Sequence, residues 1–290
     1  MSLGTCEIFE VGPRDGLQNE PRPIDAADKI ALVDRLSAAG FSRIEVASFV
    51  SPKAVPQMAD GERVLAEITR RSGTRYGALT PNMRGFDAAR AAGADEVAVF
   101  GSASEGFSKA NINASIDESL ARFAPILETA RHIDLPVRGY VSCAIACPYD
   151  GPTAPHKVAE VADRLFAMGC YEISLGDTIG AGTPDSVARM LLAVRDVVPV
   201  GRLAGHYHDT EGRAMSNIDT SLSMGVRVFD AAVGGLGGCP FAPGSPGNVA
   251  TEDVAAHLAA LGYDTGLDLD AIAEAAAMAR ALRGQAQPAL

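Results

Sequence analysis

The stretch Thr183–His208, TPDSVARMLLAVRDVVPVGRLAGHYH, contains one complete unit of the pattern that decides the fold. The Thr183 hydroxyl can cap a helix, and Pro184 suits a first turn because its missing N–H would have no partner there. Val187, Met190, Leu191, Val194 and Val198 then recur at the i, i+3, i+4 spacing of a helix with one buried face. Leu203–His208 follows as a short run that reads as a strand. The same unit repeats in both directions. Thr80-Pro81 predicts a second capped start, and Ser115 with Glu118 forms a capping box. At Ala39-Gly40, Ala92-Gly93, Met168-Gly169 and Met224-Gly225 a glycine follows a helix and precedes a strand, where a left-handed residue ends the helix.

The strand candidates are Cys6–Val11, Arg43–Ser48, Thr74–Ala78, Glu96–Phe100, Val137–Cys143, Tyr171–Leu175, Leu203–His208 and Arg227–Val233. Eight alternations of strand and helix imply a parallel sheet covered by helices. The count favours closure into a (β/α)8 TIM barrel, of α/β class, over an open doubly wound sheet. Such barrels need ~250 residues, and the chain has 290. No Pro/Gly/Ser-rich linker divides it. The expectation is therefore one domain over residues 1–290, with the barrel at about 5–262 and an additional alanine-rich C-terminal helix at about 266–285.

With 47% hydrophobic residues the chain can bury a large core, yet no apolar run is long enough to span a bilayer. The N-terminus reaches Glu7 and Glu10 without a basic-then-apolar pattern, so no signal or transit peptide is expected and the location reads as cytoplasmic. A net charge of −11 without a basic stripe argues against nucleic acid as a partner. The five cysteines are scattered and odd in number, which fits a reducing compartment. Cys143 and Cys147 have no second pair to complete a zinc knuckle.

In barrels of this kind the loops after the strands build the active site. His206 and His208 lie two apart on the seventh strand, so both imidazoles point to one side. Asp15 sits in Pro13-Arg14-Asp15-Gly16-Leu17-Gln18, after the first strand. After the eighth comes Gly234-Gly235-Leu236-Gly237-Gly238-Cys239-Pro240, followed by Gly244, Gly247 and Asn248. This glycine-rich loop lacks the Gly-Lys-Ser/Thr of a P-loop and the spacing of a dinucleotide fingerprint. It reads as a mobile loop carrying one thiol over the mouth. In a closed ring strands seven, eight and one are neighbours, so Asp15, His206, His208 and Asn248 should face one another. Mixed nitrogen and oxygen ligands with one carboxylate suit Mg²⁺ or Mn²⁺.

Val11-Gly-Pro-Arg-Asp-Gly-Leu-Gln-Asn-Glu20, Glu45-Val-Ala-Ser-Phe-Val-Ser-Pro-Lys53, Gly205-His-Tyr-His-Asp-Thr210 and the cysteine loop together resemble one family. It is that of the 3-hydroxy-3-methylglutaryl-CoA lyases, within the metal-dependent lyase and Claisen-type barrel superfamily. The resemblance implies cleavage of (S)-3-hydroxy-3-methylglutaryl-CoA into acetyl-CoA and acetoacetate by a retro-Claisen split, with an acyl-CoA as partner. It implies that Arg14 stabilises the thioester enolate, that Asp15 or His206 takes the hydroxyl proton, and that Cys239 protonates the enolate carbon. It further implies that Glu45 and Gln18 orient Arg14 or substrate and that Ser48 binds substrate. Asp177 would support the site from behind the ligands or act in acid–base catalysis, Asn111 and Ser115 would lie along CoA, and the chain would form a homodimer.

Departures from the family pattern are Pro21, where relatives often carry lysine, two prolines in Phe241–Gly247, and no C-terminal cysteine of the kind implicated in redox control. Competing readings are a Claisen-type synthase, a lyase for a longer 3-alkyl chain, and a non-catalytic barrel. The synthases carry substantial segments after the barrel, whereas about forty residues follow Asn248 here.

Overall fold

The computed structural model describes residues 3–237 and 247–284. Eight parallel strands close into a ring in sequence order. They are β1 (Glu7–Glu10), β2 (Arg43–Ser48), β3 (Arg75–Leu79), β4 (Glu96–Ser102), β5 (Val137–Ser142), β6 (Glu172–Asp177), β7 (Leu203–Tyr207) and β8 (Val228–Ala231). β8 pairs with β1 through Phe9↔Asp230 and Glu10↔Ala231, which completes the expected barrel. Helices α1 (Ala26–Ala38), α2 (Gly61–Glu67), α3 (Met83–Ala91), α4 (Glu105–Ile112), α5 (Ile116–His132), α6 (Pro155–Met168), α7 (Pro184–Arg195), α8 (Ala214–Ser223) and α9 (Thr251–Leu261) cover its outside. The anticipated extra helix is α10 (Leu269–Arg283), packed on α1 and on the turn Val233–Gly235.

Local chemistry accounts for these elements. The Thr183 side chain caps α7, and Val187, Met190, Leu191 and Val194 form its buried face. Ser115 and Glu118 close the capping box of α5. Gly40, Gly93, Gly169 and Gly225 all have positive φ, as the helix-glycine-strand pattern requires. One cap differs from expectation. The Thr80 hydroxyl donates to the Ala98 carbonyl of the neighbouring strand, and Asn82 caps α3 instead, so that helix starts two residues later. Sequence patterning also gave no sign of the short hairpin Ala146–Cys147 with Gly151–Pro152.

The molecule has two interiors. Between strands and helices lies an apolar shell that includes Phe41, Phe86, Phe123 and Phe229. Inside the ring, by contrast, charged groups stack from the floor upward. Arg43 bonds Glu7 at 2.7 Å and Glu172 at 3.0 Å. Arg138 bonds Glu172 at 2.7 Å and Asp230 at 2.7 Å. Both guanidinium groups also lie against the Phe9 ring, at 4.9 and 4.1 Å from its centre. Desolvating so many charges is tolerable only because each is paired and hydrogen-bonded.

The seam of the barrel is held by Glu10, which is fully buried. Its Oε1 accepts from the amides of Gly12 (2.7 Å) and Val233 (3.0 Å), and its Oε2 from the Thr251 hydroxyl (2.7 Å). One carboxylate thus ties together the loops after β1 and β8 and the start of α9. Replacing it by alanine strands these donors without water. Glu10→Ala should lower the unfolding free energy by about 2–4 kcal/mol, measured by urea denaturation. An unchanged midpoint would show that the seam does not need the carboxylate.

Candidate active site

After β1 the chain makes a wide π-turn, Gly12–Gly16, in which the amides of Asp15 and Gly16 both reach the Val11 carbonyl. This turn carries Arg14 and Asp15 over the barrel mouth. Its close fit depends on a missing side chain, since a Cβ at Gly16 would stand 2.7 Å from that of Leu236. His206, near the end of β7, and His208 just beyond it place their ring centres 5.3 Å apart. His208 also bridges to Asn248 in antiparallel fashion. The Asn248 amide donates to Asp15 Oδ2 at 2.8 Å. All four residues read from the sequence as ligands therefore meet at one wall of the mouth. Asp15, His206 and His208 each offer a donor atom within 4.8 Å of the others.

The electrostatics suit a cation there. Burial works against the Asp15 charge, but Arg14, His206 and His208 outweigh it and hold its pKa at about 2. Burial, then the charge of His206, depresses His208 to about 4. His206 is also disfavoured as a cation by burial, yet its hydrogen bond to Asp230 raises it above the ordinary imidazole value. The Nδ1 of His208 is buried without a hydrogen-bond partner. A buried lone pair left unused is costly unless something binds it. One carboxylate, two imidazoles and an amide form a donor set that fits a six-coordinate divalent cation.

Arg14 lies beside this wall. Its guanidinium donates to Glu45 and, at 2.6 Å, to Asp15, and its centre sits 5.6 Å from that of the Tyr140 ring. Burial opposes its charge, and Glu45 and Asp15 more than restore it. Glu45 uses one oxygen on Arg14 and leaves Oε1 buried and unbonded. A cavity of about 460 Å³ opens from here. Gln18 and Asn111 line it, Leu79, Phe100 and Tyr140 give it an apolar side, and Arg122 stands among its polar groups.

Three other residues singled out in the sequence lie elsewhere. Asp177 is displaced by strand alternation. Ser174 and Gly176 face the lumen, while the Asp177 carboxylate accepts from the amides of Ala181 (3.1 Å) and Gly182 (2.7 Å). It shapes the loop after β6 and does not line the cavity. Ser115 is engaged as the α5 cap, 3.1 Å from the Glu118 amide. Ser48 is buried outside the cavity lining, its hydroxyl without a partner. Cys239 lies outside the described residues. The nearest described residues are Gly237, which lines the cavity, and Gly247, whose carbonyl accepts from the Asp209 amide at 2.7 Å.

Asp230, Arg138, Ser174 and Tyr140 escaped the sequence reading. The Asp230 carboxylate accepts from Arg138 (3.0 and 2.7 Å) and Ser174 (2.8 Å), and its Oδ2 lies 3.1 Å from His206 Nδ1. Burial alone would raise its pKa, but Arg138 and His206 hold it well below the usual carboxylate range. The available signal was a charged residue at an inward strand position, where an aliphatic one is ordinary.

The HMGL-like family model matches residues 5–279. A Mus musculus protein named 3-hydroxy-3-methylglutaryl-CoA lyase, cytoplasmic, is 58% identical over 269 residues, covering 93% of this chain and 78% of that protein. The 3-hydroxy-3-isohexenylglutaryl-CoA/hydroxy-methylglutaryl-CoA lyase of Pseudomonas aeruginosa is 58% identical, covering 92% of this chain and 89% of that protein. The crystal structure of the HMG-CoA lyase from Brucella melitensis matches with a TM-score of 0.96 and 58% identity, over 97% of this chain and 100% of that one. The chain belongs to the HMGL-like family.

Proposed function

We propose that the chain is a carbon–carbon lyase that cleaves (S)-3-hydroxy-3-methylglutaryl-CoA into acetyl-CoA and acetoacetate. The observation that carries this reading is the meeting of Asp15, His206, His208 and Asn248 at one wall, with Arg14 clamped beside them. The reaction must remove a proton from a tertiary hydroxyl while the C2–C3 bond breaks, leaving negative charge on a thioester enolate. Asp15, His206, His208 and Asn248 would hold Mg²⁺ or Mn²⁺, which would supply Lewis-acid polarisation that lowers the hydroxyl's pKa.

The chain's own groups supply the rest. Arg14 is fixed by Glu45 and Asp15 before substrate arrives, so its remaining N–H groups can meet the enolate oxygen without reorganisation. Losing such a donor typically costs about 3–4 kcal/mol of barrier. The hydroxyl proton passes to Asp15, whose carboxylate keeps free lone pairs and whose Oδ2 lies 3.9 Å from His206 Nε2. Cys239, two residues after Gly237 in the sequence, would deliver a proton to C2 of the enolate, and acetyl-CoA leaves. Gln18 and Asn111 offer polar contacts along the path of the acyl-CoA.

A second reading is favoured by the apolar side of the cavity. Leu79, Phe100 and Tyr140 would accept a longer 3-alkyl substituent, as the name of the Pseudomonas aeruginosa relative describes for that protein. Comparing turnover of the 3-methyl and 3-isohexenyl thioesters separates the two. A homodimer belongs to this proposal as an expectation from the resemblance, and a cytoplasmic location as the name of the Mus musculus relative describes for that protein. Among the described residues no helix is long and apolar enough to cross a membrane.

The direct test is a coupled assay for acetoacetate. Turnover should vanish with EDTA and return with Mg²⁺ or Mn²⁺; no acetoacetate under any metal condition would end the proposal. Cys239→Ser should retain Mn²⁺ binding while kcat falls by about two orders of magnitude or more, and unchanged turnover would remove the thiol from the reaction. Asp15, held at about 2, and His208, at about 4, are unprotonated at neutral pH, whereas the hydrogen bond to Asp230 raises the pKa of His206, the ligand whose proton competes with a cation. Mn²⁺ affinity should therefore weaken with the slope of a single proton as pH falls through the raised His206 pKa. A steeper slope, seen by calorimetry in two buffers, would contradict this charge assignment.

A further inference from the structure

We infer that Asp230 is a positioning residue that fixes the tautomer and the aim of His206, so that one metal ligand is set by a carboxylate buried beneath the site. The inference rests on the proposed metal site and concerns how the protein prepares it.

The two imidazoles at the mouth are held differently. His206 turns Nδ1 down to Asp230 Oδ2 at 3.1 Å and Nε2 across to Asp15 Oδ2 at 3.9 Å. His208 instead leaves its Nδ1 buried and unbonded, and its ring interacts with the Thr178 backbone. The pair would therefore present unlike nitrogens to one cation: Nε2 from His206 and Nδ1 from His208. A ring can do this only if its other nitrogen carries the proton. A carboxylate paired with a guanidinium accepts hydrogen bonds and cannot donate. Against Asp230, His206 Nδ1 must be the donor, which leaves the Nε2 lone pair free.

Asp230 is well built for this task. It is buried in mid-strand on β8, and both its oxygens are engaged by Arg138, at 3.0 and 2.7 Å. Ser174 donates to the same Oδ2 that faces His206. Arg138 is held in turn by Glu172, and Glu172 by Arg43 on the barrel floor. Rotation of the His206 ring is limited from the side by Tyr140, edge-on at 86° with centres 6.3 Å apart. If Asp230 served only to neutralise Arg138, nothing would require His206 and Ser174 to converge on one of its oxygens.

The experiment compares Mn²⁺ affinity, by calorimetry or EPR, in the wild type, Asp230→Asn and Glu172→Gln. Both variants remove a carboxylate from Arg138, but only the first touches His206. Asp230→Asn should weaken Mn²⁺ binding by about 10–100-fold, while Glu172→Gln stays within about twofold of wild type. Equal losses in both, or none in Asp230→Asn, would overturn the inference and leave the metal site standing. A wild-type protein without a stoichiometric Mn²⁺ site would instead overturn the metal reading itself. Should Asp230→Asn fail to fold, ¹⁵N spectra of histidine-labelled wild-type protein decide the matter, with His206 assigned through His206→Gln. A neutral His206 protonated on Nδ1 supports the inference, and one protonated on Nε2 refutes it.

Discussion

Closure of the ring by parallel pairing of β8 with β1 is the constraint from which the other features follow. Phe9↔Asp230 and Glu10↔Ala231 set the register. A slip of one residue would exchange lumen and outer faces along the whole strand. Asp230 would then face the helices, and Arg138 would lose its partner. Closure also brings the loops after β1 and β8 into contact, and Asp15 reaches Asn248 across 233 positions of sequence. Glu10 is the local expression of the same constraint, because its bonds are possible only when both strands end at the same height.

The charged lumen has a cost that its pairings offset only in part. A buried arginine such as Arg138, between Glu172 and Asp230, is weak grounds for claiming stability, since well-packed apolar residues commonly do as well or better. What the charges provide is direction. Apolar side chains would fill the lower barrel equally well but could not orient an imidazole in the layer above. The apolar shell outside the strands holds the molecule together, and the column within gives the mouth its geometry.

Much of this was legible in the sequence because it depends on spacing. The period in Val187–Val198 and the helix-closing glycines place the elements to within a few residues. His206 and His208 are legible because two residues on a strand always share a face. Asp15 and Asn248 needed one further step, the neighbour relation of a closed ring. Illegible were interactions that depend on which way a strand faces. Asp177 stands at a strand end, where polar groups build sites, but alternation turns it toward the backbone of its own loop. Asp230 carries no motif, and only the paired strands show it beneath His206. The Thr80 cap was misplaced for a related reason, since a carbonyl on the adjacent strand competed for its hydroxyl.

The seam where Gly16 lies against Leu236 has a consequence for how such a barrel can diversify. A Cβ at Gly16 or at Gly237 would strike a neighbour at 2.7 or 2.9 Å, so that arc of the rim is packed to its limit. The opposite arc, with Pro81, Asn82 and Asn111, borders open cavity. New substrates can be accommodated by rebuilding the second arc while the first stays as it is. Under the proposed function bond-breaking would stay with the first arc, recognition would be shared between Gln18 there and Asn111 opposite, and drift in the second arc need not disturb the first.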